Sequence, residues 1–186
     1  MKRIMFFLTI MLVMAITLNG SAQDAKKTFK YVGAAKCKMC HKGEKNGNIF
    51  EIWEKSTHAK AFETLASDHA KEVAKKAGVT GDPQQAKECL SCHVTGYNAA
   101  AALKEASLTN AEGVSCEACH GPGSEYKSMK VMKDLTAGTV KPADVGLIKP
   151  NAALCVKCHN TKSPTYKEFK FEEAVKAIAH PLPKKG

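Results

Sequence analysis

Apolar positions in this chain come in short bursts between polar stretches, and only the first burst is unbroken. After Met1, Lys2 and Arg3, residues 4–18 are apolar and Gly20, Ser21 and Ala22 follow. A charged start, an apolar run and small residues predict a secretion leader, residues 1–22, cleaved near Ala22 so that the mature chain begins at Gln23. The run is too short for a membrane span. No cysteine adjoins the cleavage point to take a lipid, and no later stretch is long and apolar enough to cross a bilayer.

Past a polar lead-in, residues 48–66 place Ile49, Phe50, Ile52 and Trp53, then Ala61, Phe62 and Leu65, at helical spacing. Ser56 and Thr57 between the two groups predict a cap for a second helix starting at His58. Residues 68–77 read as a short polar helix capped by Asp68 and stopped by Gly78, residues 99–106 as an alanine-rich helix, and residues 125–135 as a helix with Met129 and Met132 on one face. Turns are expected at Gly81-Asp82-Pro83 and Gly121-Pro122-Gly123, and a surface loop over 136–150. Phe171, Val175 and Ile178 mark a terminal amphipathic helix ending at His180, where Pro181 bars continuation. The pattern as a whole predicts a mostly α chain with long loops, forming one domain over residues 23–186.

Into this pattern fall four Cys-x-x-Cys-His segments: Cys37, Cys40, His41; Cys89, Cys92, His93; Cys116, Cys119, His120; and Cys155, Cys158, His159. They use all eight cysteines. A lone Cys-x-x-Cys pair suits half a zinc site or a redox dithiol equally well. A histidine directly after every pair, in a chain with seven histidines, singles out covalent haem attachment: two thiols add to the haem vinyl groups and the histidine becomes the proximal iron ligand. Export agrees with this chemistry, since such sites are loaded outside the cytoplasm, and the expected location is the periplasm or cell exterior. Four haems c on a chain this short leave about forty residues each, too few to wrap every haem separately, so the expected architecture is a single domain around a packed four-haem core. The unequal spacing of the segments argues against a tandem repeat of one-haem units.

The formal net charge is +10, of which Lys2 and Arg3 belong to the leader. Haem propionates balance much of the remaining lysine, and the rest can steer docking onto an acidic redox partner. No nucleic-acid recognition motif accompanies the charge, so nucleic acid is not expected as a partner.

Four proximal histidines leave His58, His69 and His180 as distal candidates. Four bis-histidine irons are therefore impossible within one chain. At least one iron takes methionine or another ligand, borrows a histidine from a neighbouring subunit, or stays open on one side. Tyr126, Met129 and Met132 are the nearest such residues to the third segment.

Several stretches resemble the cytochrome c554 family of small tetrahaem cytochromes. They are Tyr31-Val32-Gly33 before the first segment, Trp53 with His58-Ala59-Lys60-Ala61, Cys92-His93-Val94 followed by Gly96, the stretch 113–123, and Phe169-Lys170-Phe171 with the helix ending at His180. The resemblance implies a periplasmic electron acceptor of hydroxylamine oxidoreductase. It further implies that His58 pairs with His159 and His180 with His120, with His93 as sole protein ligand of a five-coordinate second haem. One departure stands out: the family's distal histidine for the first haem, a short way after the Gly-Pro-Gly turn, has no counterpart here. His69 serves the first haem or caps the second, and the residues leave both open. The expected function is a carrier of single electrons between redox protein partners rather than an enzyme. The alternatives are reduction of a small nitrogen oxide at an open haem, or a subunit of a multihaem filament or membrane complex.

Overall fold

The computed structural model describes residues 27–181, so the leader expected at 1–22 lies outside them. Helices dominate: α1 (Ala34–His41), α2 (Ile49–Glu54), α3 (Ala61–Thr64), α4 (Asp68–Lys76), α5 (Lys87–His93), α6 (Cys116–His120), α7 (Met129–Ala137), α8 (Ala152–Cys155) and α9 (Phe171–Ile178). Among the described residues there is no strand, only one isolated parallel bridge between Tyr31 and Lys104. The mostly α, loop-rich fold is the one the sequence predicts.

Local chemistry sets the helix ends. The Ser67 side chain accepts the Ala70 N–H, so the cap of α4 lies one residue ahead of Asp68, which occupies the first turn while Lys75 and Lys76 sit in the last. Ser128 does the same for α7 by accepting the Val131 N–H, and the helix begins at Met129 rather than at residue 125. Ala179 is extended, so α9 stops at Ile178 and His180 stands just past its end.

Two expectations are corrected by contacts distant in sequence. The Ser56 hydroxyl accepts the Ala59 N–H at 3.2 Å, closing a turn rather than opening a helix at His58. The His58 carbonyl instead accepts from Ala61 and from Val114, and α3 starts only at Ala61. Residues 99–106 form a 3₁₀ turn at Ala101–Leu103 and then extend. The reason is Tyr31, whose N–H donates to the Leu103 carbonyl and whose carbonyl accepts from Glu105, both at 2.8 Å. Tertiary pairing outweighs alanine's helix propensity there. Within the expected loop at 136–150, a 3₁₀ turn at Pro142–Val145 buries Val145.

The stretch 113–123 is the hub to which the rest is tied. Glu117, 1 % exposed, accepts backbone N–H groups of Val32, Gly33 and Gly123. Glu112 accepts the Ala34 N–H at 2.7 Å, so two glutamates fix the entry into α1. The Thr95 hydroxyl donates to the Gly113 carbonyl and accepts the Ser115 N–H, which docks the end of α5 alongside. Leu65, Leu90 and Val94 form an apolar cluster with Phe62, Cys89 and Tyr97, packing α3 against α5.

Candidate haem-binding site

In an α-helix, residues i, i+3 and i+4 share a face. A Cys-x-x-Cys-His segment in helical conformation therefore projects both thiols and the imidazole to one side. The chain uses this geometry repeatedly: α1, α5 and α6 each end on the motif histidine. After α8, the His159 N–H donates to the Cys155 carbonyl at 3.0 Å, carrying one more helical turn through the fourth motif.

The four segments lie close enough for their thiols to perturb one another. The Cys37 and Cys116 thiols share a hydrogen bond, which raises the pKa of Cys37 and lowers that of Cys116. Burial, reinforced by the neighbouring Cys92 thiol, pushes Cys158 up to about 12. Burial also raises Cys119, with Cys155 nearby as a second cause. Segments one and three, three and four, and four and two are thus neighbours. In the haem-bearing protein these sulfurs are thioethers and do not titrate.

Two histidine pairs face one another. His58 and His159 have ring centroids 5.9 Å apart at an interplanar angle of 75°, and His120 and His180 are 5.9 Å apart at 51°. Two imidazoles sharing one metal have centroids about 6 Å apart, from metal–nitrogen bonds of about 2 Å and the ring radii. Burial lowers the pKa of His41, His58 and His120, favouring the neutral imidazole that ligates metal. His159 also stacks on Phe169 at 4.8 Å. His93 donates from Nδ1 to the Ala61 carbonyl at 2.7 Å, which leaves Nε2 free to bind metal.

The Nδ1 atoms of His41 and His180 are buried without a hydrogen-bond partner. His69 lies exposed in the first turn of α4. Among the described residues His41, His69 and His93 face no other aromatic ring, and no three histidine, cysteine or acidic side chains converge as a closed zinc site requires. Thiols held close to one another and neutral imidazoles facing each other fit covalently attached haem.

Sequence reasoning missed the residues that hold these groups in place. Glu117 clamps the approach to the first segment from inside the third. Trp53 donates from Nε1 to the Val114 carbonyl at 2.9 Å, beside the turn that carries His58. The signal for Glu117 was an acidic residue between two attachment cysteines, where water is excluded.

The chain matches the family described as cytochrome c554 and c-prime over residues 36–121, which contain three of the four motifs. It is similar to cytochrome c-554 of Nitrosomonas europaea, with 34 % identity over 110 residues, covering 58 % of this chain and 45 % of that protein. The chain thus aligns with just under half the length of that curated relative. Its fold is similar to the solved reduced state of cytochrome c554 from Nitrosomonas europaea, with a TM-score of 0.58 and 29 % identity over 81 % of this chain and 83 % of that one. In its attachment motifs, its helical fold and its sequence the chain is thus similar to cytochrome c554.

Proposed function

We propose that the chain is a periplasmic tetrahaem cytochrome that carries single electrons between redox partners. The observation that supports this reading best is the convergence of the four attachment segments. Spread from residue 37 to residue 159, they come close enough for their thiols to influence one another, Cys37 with Cys116, Cys119 with Cys155, and Cys158 with Cys92. Contiguous attachment in the order one, three, four, two suits a path for electrons better than four isolated sites. Bound haem supplies the one-electron iron couple.

The residues of the chain do the rest. The eight cysteines anchor, and His41, His93, His120 and His159 ligate from the proximal side. His58 and His180 close two distal positions. Glu117 and Trp53 hold the segments in register. His69 stands apart from both facing pairs, and its assignment to the first or second haem rests on spectroscopy of a His69→Ala variant.

The test is a haem count by mass and a potentiometric titration of the exported protein. Four attached haems and four reversible one-electron steps, without turnover of small nitrogen oxides, are expected. Fewer haems, or steady reduction of hydroxylamine or nitrite, would overturn the proposal.

A further inference from the structure

We infer that α1 is the face through which electrons pass between this chain and a partner, and that this partner is a redox protein with an apolar patch rimmed by carboxylates. The inference rests on the electron-carrier reading and adds to it a surface and a partner chemistry.

Residues 36–45 hold Lys36, Lys38, Lys42 and Lys45 against Glu44 alone. The equivalent stretches around the second and third segments, 88–97 and 115–124, hold one glutamate each and no lysine. Around the fourth, 154–163, there are two lysines, Lys157 and Lys162. Of the eight cysteines, only Cys40 is exposed. Helical spacing puts Lys36, Met39 and Cys40 on one face of α1, and Met39 stands 78 % exposed. A protruding apolar side chain beside an accessible attachment sulfur, surrounded by cations, has the make-up of a transient interface: a small apolar centre with a charged rim.

Neighbouring groups decide which cations are available. Lys38 lies 4.8 Å from the Phe50 ring centroid and 4.0 Å from Glu54, so it is engaged with its own chain. Glu51 is engaged as well, accepting the Gly43 N–H at 3.1 Å. Lys36, Lys42 and Lys45 remain as the rim. The surface is preformed, because Glu117 and Glu112 hold the N–H groups of Val32, Gly33 and Ala34 where α1 begins. Electrostatic complementarity at such a rim acts mainly on the rate of encounter and falls with salt.

The experiment is voltammetry of the haem-loaded full chain on gold coated with a carboxylate-terminated monolayer, with a hydroxyl-terminated monolayer as the neutral control. Combining Lys36→Glu, Lys42→Glu and Lys45→Glu is expected to slow interfacial electron transfer about tenfold on the carboxylate surface at low ionic strength, with no change on the hydroxyl surface. Two comparison variants keep rates within about twofold of the parent protein. One carries Lys71→Glu, Lys75→Glu and Lys76→Glu on α4, with the same change in net charge. The other carries Lys157→Glu and Lys162→Glu at the fourth segment.

Equal slowing by the α4 variant would mean that only net charge matters. Greater slowing by the Lys157 and Lys162 variant would move the portal to the fourth segment. Either result overturns the inference. Should the triple reversal lose haem, glutamine at the same three positions takes its place, with about threefold slowing expected on the carboxylate surface. An unchanged rate in that variant overturns the inference equally. Absence of any reversible current from the parent protein on both surfaces would overturn the carrier reading itself and the docking face with it.

Discussion

Glu117 lies between Cys116 and Cys119 at 1 % exposure, so its charge depends on what the fold places around it. Burial raises its pKa, while the N–H groups of Val32, Gly33 and Gly123 pull it down. All three neighbours are donors, and a carboxylate accepts from each. In Glu117→Gln the amide NH₂ meets at least one of those donors head-on. We expect a loss of about 2–4 kcal/mol in thermal unfolding of the haem-loaded protein, as for removal of one buried charged hydrogen-bonding partner. An unchanged melting temperature would show that the clamp adds nothing. The facing histidines make a separate, spectroscopic prediction. His58→Ala and His180→Ala should each convert one low-spin iron to high spin while the thioethers keep every haem attached. A variant whose spectrum matches the parent's removes that histidine from the ligand set.

At the scale of elements, the turn carrying His58 is held against the stretch just before α6. Val114 donates to the His58 carbonyl at 2.9 Å, and Trp53 donates to the Val114 carbonyl at 2.9 Å. Gly113 makes this approach possible. Its φ is +62°, and a Cβ there would come within 2.6 Å of the His58 carbonyl oxygen and 2.8 Å of Ala59's. Gly113→Ala therefore combines backbone strain with a clash and should cost about 2–3 kcal/mol. Its spectral change should be confined to the haem of the His58 and His159 pair. Equal disturbance of the His120 and His180 haem would mean that the turn is not an independent support.

The sequence made the parts that depend on neighbours along the chain readable. The motif faces follow from i, i+3, i+4 spacing, α4 from the cap-forming residues at its start and Gly78 after its end, and α9 from its apolar periodicity. Residues 99–106 misled because their partner, Tyr31, is remote in the chain. Likewise, nothing local says that Glu117 holds Val32. The pairing of His58 with His159 was legible only through family resemblance, since spacing cannot join residues a hundred positions apart.

For the whole molecule the histidine count becomes decisive. Seven histidines are available, and two facing pairs use four of them. His41 and His93 remain as motif ligands, with His69 alone to serve both. On the proposed tetrahaem reading, each paired iron would be closed to outside ligands, whereas at least one of the other two would lack a second histidine from this chain. The ferric protein should therefore show low-spin electron paramagnetic resonance signals together with a high-spin signal that nitric oxide abolishes. The Nδ1 bond from His93 to Ala61 fixes that ring as a proximal ligand, and the family resemblance makes the second haem the expected source. The His69→Ala variant then tests whether His69 is a ligand. Growth of the high-spin signal in the variant means that His69 closes one of these irons, and an unchanged signal means that it closes neither. If the parent protein gives only low-spin signals that nitric oxide leaves intact, methionine or a neighbouring subunit completes the set. Sizing by light scattering tells these two apart, because a borrowed histidine requires an oligomer and Met129 or Met132 does not.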